Sequence, residues 1–89
     1  MEHETIRFEL DPEMSLREKG TLIVCRELIK QGINPTIENI KKCGTDAERS
    51  ITSSIHKLTE LGYYSAIRYR QTDKSGFNWR YEISETREV

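Results

Sequence analysis

The chain has 89 residues, 33% of them charged and 8% aromatic, with a net charge of −1. That length suffices for one small domain and excludes a second core or a large active-site cleft. No apolar run approaches the roughly 20 residues that span a bilayer, and "MEHETIRFEL" lacks a signal-peptide pattern, so a cytoplasmic protein without membrane contact is expected.

The charge is unevenly spread. Residues 1–14 set five acids against Arg7, a net −4, and residues 82–89 set Glu82, Glu85 and Glu88 against Arg87, a net −2. Residues 15–81 therefore carry +5. A basic body suits a polyanionic partner and is also what an ordinary solvated surface carries.

In chain order, "TIRFEL" (5–10) alternates Ile6, Phe8 and Leu10 with Arg7 and Glu9, which predicts a strand-like arm that Asp11-Pro12 breaks. "SLREKGTLIVCRELIKQG" predicts a long first helix. Ser15 is its N-cap and Glu18 completes a capping box. Leu16, Leu22, Ile23, Val24, Cys25, Leu28 and Ile29 form a broad apolar stripe, and Gly32 ends the helix. Gly20 inside it costs ~1 kcal/mol relative to Ala, which predicts the close approach of another backbone. "INPTIENIKKCG" predicts a short second helix capped by Thr36, with Ile37, Ile40 and Cys43 inward and Gly44 as its stop. "TDAERSITSSIHKLTELG" predicts the third, with Thr45 and Glu48 as a second capping box. Ala47, Ile51, Ser54, Ile55, Leu58 and Leu61 lie on its inner face, and Gly62 ends it.

After Gly62 the period becomes two. "YYSAIRYRQ" and "NWRYEISE" around "TDKSGF" predict a β-hairpin, with Trp79, Tyr81 and Ile83 on its core face. Residues 85–89 are expected to fray as a chain end. Three helices leave an open apolar edge that a hairpin can close. The order predicts an α+β fold, a winged helix, as a single domain over residues 1–89: acidic arm 1–14, helices 15–62, wing 63–84, tail 85–89.

The outer face of the third helix carries Thr45, Arg49, Thr52, Ser53, His56 and Glu60, flanked by Ser50 and Lys57. In a helix-turn-helix the first half of this helix lies in the major groove. Arg there can pair with guanine, and Ser and Thr can reach bases or phosphates. Every surface helix has a polar face, and from this helix alone both readings stand. The hairpin says more. Arg68, Arg70, Lys74 and Arg80 face a single acid, Asp73, across residues 63–81. That favours a phosphate-gripping wing over a strand face kept soluble by its charges. The aromatic residues Tyr63, Tyr64, Tyr69, Phe77, Trp79 and Tyr81 are expected in the core rather than on a base-stacking platform. Asp46 and Glu48 suit the first turn of a helix through the macrodipole and weaken phosphate affinity. Cys25 and Cys43 read as small buried hydrophobes. There is no HExxH, CxxC or GxxxxGK[ST] pattern, and His3 and His56 have no evident ligand partners. No catalytic activity, cofactor or metal is expected.

"MSLREKGTLIVCREL", "TIENIKKCGTDAERSITSSIHKLTELGYY" and "RYRQTDKSGFNWRYEI" resemble the small winged-helix domains of phage and plasmid replication proteins (replisome organisers) and related helix-turn-helix proteins of Gram-positive bacteria. The resemblance covers about three quarters of the chain. It implies that the third helix reads DNA and that the hairpin is a wing, with family basic positions on Arg49, Arg68, Arg70 and Lys74. At the start of the third helix, Thr45, Asp46 and Glu48 depart from the family's lysines. The expectation is a double-stranded DNA-binding protein acting in replication or transcription control. Arg49, Thr52, Ser53 and His56 would lie near bases, and Lys57, Arg68, Arg70, Lys74 and Arg80 near phosphates. The alternative is a protein-interaction or dimerisation module whose N-terminal arm adds to a sheet edge of a partner or a second copy.

Overall fold

The computed structural model describes residues 4–70 and 77–89. It is an α+β arrangement of three helices and two small antiparallel sheets. The strands are β1 (Thr5–Arg7), β2 (Tyr64–Arg70), β3 (Phe77–Ile83) and β4 (Thr86–Glu88). The helices are α1 (Leu16–Lys30), α2 (Ile37–Lys41) and α3 (Glu48–Leu61).

The arm is shorter than its alternation predicts. After Arg7 the chain tightens into a single 3-10 turn, Phe8–Leu10, and Leu10 is 77% exposed. The turn inserts Phe8 into the core, edge-on to Tyr63 with ring centroids 6.5 Å apart. Burying a side chain of that size is worth about 1.5–3 kcal/mol, which outweighs continuing a strand into solvent.

The tail does not fray. β4 pairs with β1 in the register Thr5↔Glu88, Ile6↔Arg87, Arg7↔Thr86. A buried ion pair holds this sheet in place. Asp11 is fully buried, and its carboxylate accepts from both Nε and Nη2 of Arg87, from the Tyr63 hydroxyl at 2.8 Å and from the Glu13 amide at 3.0 Å. Arg26 adds a second tie, 2.6 Å from Glu85 and 5.9 Å above the Phe8 ring. A charge pattern that reads as two loose acidic ends is thus folded together by Arg7, Arg26 and Arg87.

α1 begins as its sequence predicts. The Ser15 hydroxyl accepts from the Glu18 amide at 3.1 Å, and the Glu18 carboxylate accepts from the Ser15 amide at 2.9 Å. The buried stripe is narrower than expected. Leu22 and Cys25 are buried, Val24 and Leu28 half-buried, but Leu16 is 84% exposed and Ile23 and Ile29 also face outward. A small domain has too little surface to cover the whole stripe. Gly20 meets no backbone: a Cβ added there would have nothing within 4 Å.

α2 is short, and Thr36 caps it by accepting from the Asn39 amide at 3.1 Å. Because the helix stops at Lys41, Cys43 falls in the following turn and is exposed instead of facing the core. α3 starts three residues after Thr45, with Ala47 as an N-cap that offers no side-chain bond. The capping box expected from Thr45 and Glu48 does not form, and Ala47 is exposed. The start of α3 is instead tied sideways to α1. Arg17 donates to the Ser50 hydroxyl at 2.7 Å and lies 3.7 Å from Asp46. Farther along, Ile51, Ser54 and Leu58 are buried and Ile55 and Leu61 half-buried, as the pattern predicts. Gly62 ends the helix at φ 90°, a left-handed conformation that suits glycine.

β2 and β3 form the hairpin in the register Tyr64↔Ile83, Ala66↔Tyr81, Arg68↔Trp79, Arg70↔Phe77. Its base is anchored. Tyr63 and Tyr64 are buried, and the Tyr64 hydroxyl donates to the Pro35 carbonyl at 2.8 Å. Tyr81 and Ile83 are half-buried, but Trp79, expected in the core, is 50% exposed and lines a groove against α3. The core gathers Phe8, Met14, Leu22, Cys25, Ile40, Ile51, Leu58, Tyr63 and Tyr64 from every layer.

Candidate nucleic-acid interface

On α3 the residues at i, i+4, i+7 and i+11 point to solvent: Arg49, Ser53, His56 and Glu60 are all exposed. Thr52 and Lys57 are half-buried at opposite edges of this stripe. Thr52 lies on the edge of Ile55 and Thr59, which line a groove against the hairpin. Its hydroxyl donates to the Glu48 carbonyl at 2.9 Å, so only its lone pairs are left for a ligand. Lys57 lies on the edge of Ser50, which faces Arg17 of α1. It stands away from the hairpin.

Residues directly opposite each other in an antiparallel pair point to the same side. One hairpin face therefore carries Tyr64, Ala66, Arg68 and Arg70 with Ile83, Tyr81 and Trp79. Four of these, Tyr64, Ala66, Trp79 and Tyr81, line the groove against α3. Arg68 and Arg70 thus stand on the α3 side of the hairpin. Arg80 pairs with Ile67 on the reverse face, and its guanidinium is 3.3 Å from Glu82. The expected set is therefore split: Arg68 and Arg70 stand on the hairpin face toward α3 with Thr52 on the adjoining edge of that helix, Arg49 and Ser53 line a separate depression with Ser15, Arg17 and Glu18 at the start of α1, and Arg80 stands on the reverse of the hairpin. Lys74 lies outside the described residues.

Two features escaped the sequence pattern. Asp46 is neutralised across the helix pair by Arg17, so it lowers the potential at the start of α3 less than its bare charge implies. Trp79 is exposed on the arginine-bearing face. The available signal was its pairing: an aromatic residue directly opposite Arg68 shares that residue's surroundings.

At the chain ends, Glu9 pairs with Arg7, and Asp11 and Glu13 pair with Arg87. Arg87 holds the Asp11 carboxyl well below the usual carboxylate range despite its burial. The Arg7 guanidinium likewise lowers Glu9. Among the described residues, no group of three His, Cys, Asp or Glu side chains is placed to hold a metal ion. Nor is any helix among them long and apolar enough to cross a membrane. No family model matches the chain, and no curated protein and no solved structure matches it.

Proposed function

We propose that this chain is a winged-helix DNA-binding domain of the phage or mobile-element type, acting in the cytoplasm in replication or transcription control and carrying no catalytic activity. In this reading α3 enters the major groove of a duplex, with Arg49, Thr52, Ser53 and His56 toward the bases. Arg68 and Arg70 hold the adjacent backbone. The observation that carries the reading is that Arg68 and Arg70 lie on the hairpin face that meets Ile55 and Thr59 of α3 across a groove, next to the exposed polar stripe of that helix. Lys57 and Arg80 contribute at most to the general field.

The alternative, a dimerisation module, rests on the arm. β1 already pairs with β4 of its own chain, which leaves only the outer edges of that sheet for a partner. A dimer through those edges is compatible with DNA binding.

Fluorescence anisotropy on a labelled duplex tests the proposal. Binding is expected at low salt and should weaken steeply as salt rises, because phosphate contacts release counterions. Arg68→Ala with Arg70→Ala should flatten the log–log salt slope by about 2, near 0.9 per phosphate contact. Arg80→Ala should change it little. Absence of duplex binding at low salt, or a double variant indistinguishable from the parent, refutes the reading.

A further inference from the structure

The groove between α3 and the hairpin has chemistry that gripping a duplex backbone does not use. One wall is aromatic. Tyr64 and Tyr81 pack edge-on, with ring centroids 6.3 Å apart and planes at 62°, and half-exposed Trp79 extends the row. Ile55 faces them from α3. Two hydroxyls line the groove. Thr36 Oγ1 accepts from the Asn39 amide at 3.1 Å and so keeps its proton to donate. Thr59 donates to the Ile55 carbonyl at 2.7 Å and so keeps lone pairs to accept. The open space is about 340 Å³, at the lower end of the ~300–1,000 Å³ usual for small-molecule sites.

Two guanidinium groups stand at the mouth. Arg68 lies directly across from Trp79, and Arg70 follows on the same face. The acid of α2, Glu38, is 3.9 Å from Lys42 and offset by it. A slot with an aromatic wall, one donor, one acceptor and guanidinium groups beside it fits a nucleobase taken out of its stack, with the phosphate attached to it.

We propose that this groove binds a single unpaired base of a DNA strand, stacked on Trp79, with its flanking phosphate held by Arg68 and Arg70. The inference rests on the nucleic-acid reading of the hairpin but asks for more than that reading does. Duplex binding uses the outer face of α3 and the hairpin charges, whereas the groove needs a base with no partner, as in single-stranded, gapped or melted DNA.

Trp79 is the only tryptophan of the chain, so its emission reports on the groove directly. The full chain is titrated at low salt with three probes: a single-stranded oligonucleotide, the same backbone with every base removed, and a fully paired duplex. The single strand should quench Trp79 emission. The abasic strand should leave emission unchanged and bind about tenfold more weakly, the effect of losing one good stacking contact. By anisotropy, Trp79→Ala should lower single-strand affinity about tenfold and leave duplex affinity within about twofold. Ala66→Leu fills the groove while keeping Trp79 and both arginines, and should also weaken single-strand binding. Circular dichroism shows whether each variant is folded.

Equal binding of the normal and abasic strands without quenching, or single-strand affinity unchanged in both variants, overturns the proposal and points to an apolar protein segment in the groove. If that result comes with salt-sensitive duplex binding, only the groove proposal falls. Quenching by the single strand without duplex binding supports the groove and refutes the duplex reading. Failure to bind any of the three probes refutes both.

Discussion

Asp11 is where the two chain ends meet, and replacing it tests how the fold is closed. Its carboxylate is fully buried and accepts four hydrogen bonds, two of them from Arg87. Asp11→Ala removes the acceptor and leaves the buried Tyr63 hydroxyl and the Glu13 amide without it. Breaking a buried, hydrogen-bonded ion pair by deleting one partner costs about 3–5 kcal/mol. Arg87 keeps Glu13 at 2.8 Å, so the lower end of that range is expected, about 3 kcal/mol. A domain of this size has a total stability of about 4–13 kcal/mol, so the variant should sit near the edge of folding. The pH dependence follows from linkage. The folded Asp11 carboxyl titrates well below its unfolded value of about 3.9. Its contribution is therefore full above about pH 4 and is lost as pH falls from there toward the folded pKa. Urea denaturation followed by circular dichroism at pH 7 and at about pH 3 measures both effects. Asp11→Asn, which keeps the shape and removes the charge, should lose stability at pH 7 and show a shallower decline between these pH values. A loss under about 1 kcal/mol for Asp11→Ala at pH 7 would refute the claim that this pair closes the fold.

The helix starts give a contrasting pair. Ser15→Ala should cost ~1 kcal/mol, whereas Thr45→Ala should stay within about 0.5 kcal/mol because no cap forms there. Ala47→Ser should instead supply α3 with a missing cap and stabilise by ~0.5–1 kcal/mol in thermal melts. The glycines should respond with opposite signs. Gly20→Ala enters open space in a helix interior and should stabilise by ~0.5–1 kcal/mol, while Gly62→Ala, at φ 90°, should cost ~1 kcal/mol or more. The two thiols should separate under a chromogenic disulfide reagent: exposed Cys43 reacts in the native state. Cys25, buried and with its thiol pushed up to about 12 by that burial, should react only on unfolding.

The sequence alone determines the features carried by local spacing. Ser15 and Glu18 specify their box because both partners lie within one helical turn. Thr36 marks a start by its side-chain cap, and Gly32 and Gly62 mark ends by their backbone freedom. The inner face of α3 and the paired strands of the hairpin follow from periods of about 3.6 and two. The α+β order of three helices and a hairpin follows from these.

The tertiary structure decides what depends on residues far apart in the chain. Thr45 and Glu48 have the right types and spacing for a cap, yet Arg17, near the start of α1, reaches Asp46 and Ser50, and α3 begins later. Asp11 and Arg87 are 76 positions apart, so no window along the chain shows that a tail rich in acids becomes a paired strand. Trp79 fits a core pattern by type and period, yet the fold leaves it half in solvent at a groove against α3, directly opposite Arg68. The same register places Arg80 behind the hairpin and Arg68 and Arg70 in front. Charge content is a property of the sequence, but the side on which each charge stands is set by strand pairing. For this protein that pairing decides which arginines flank α3.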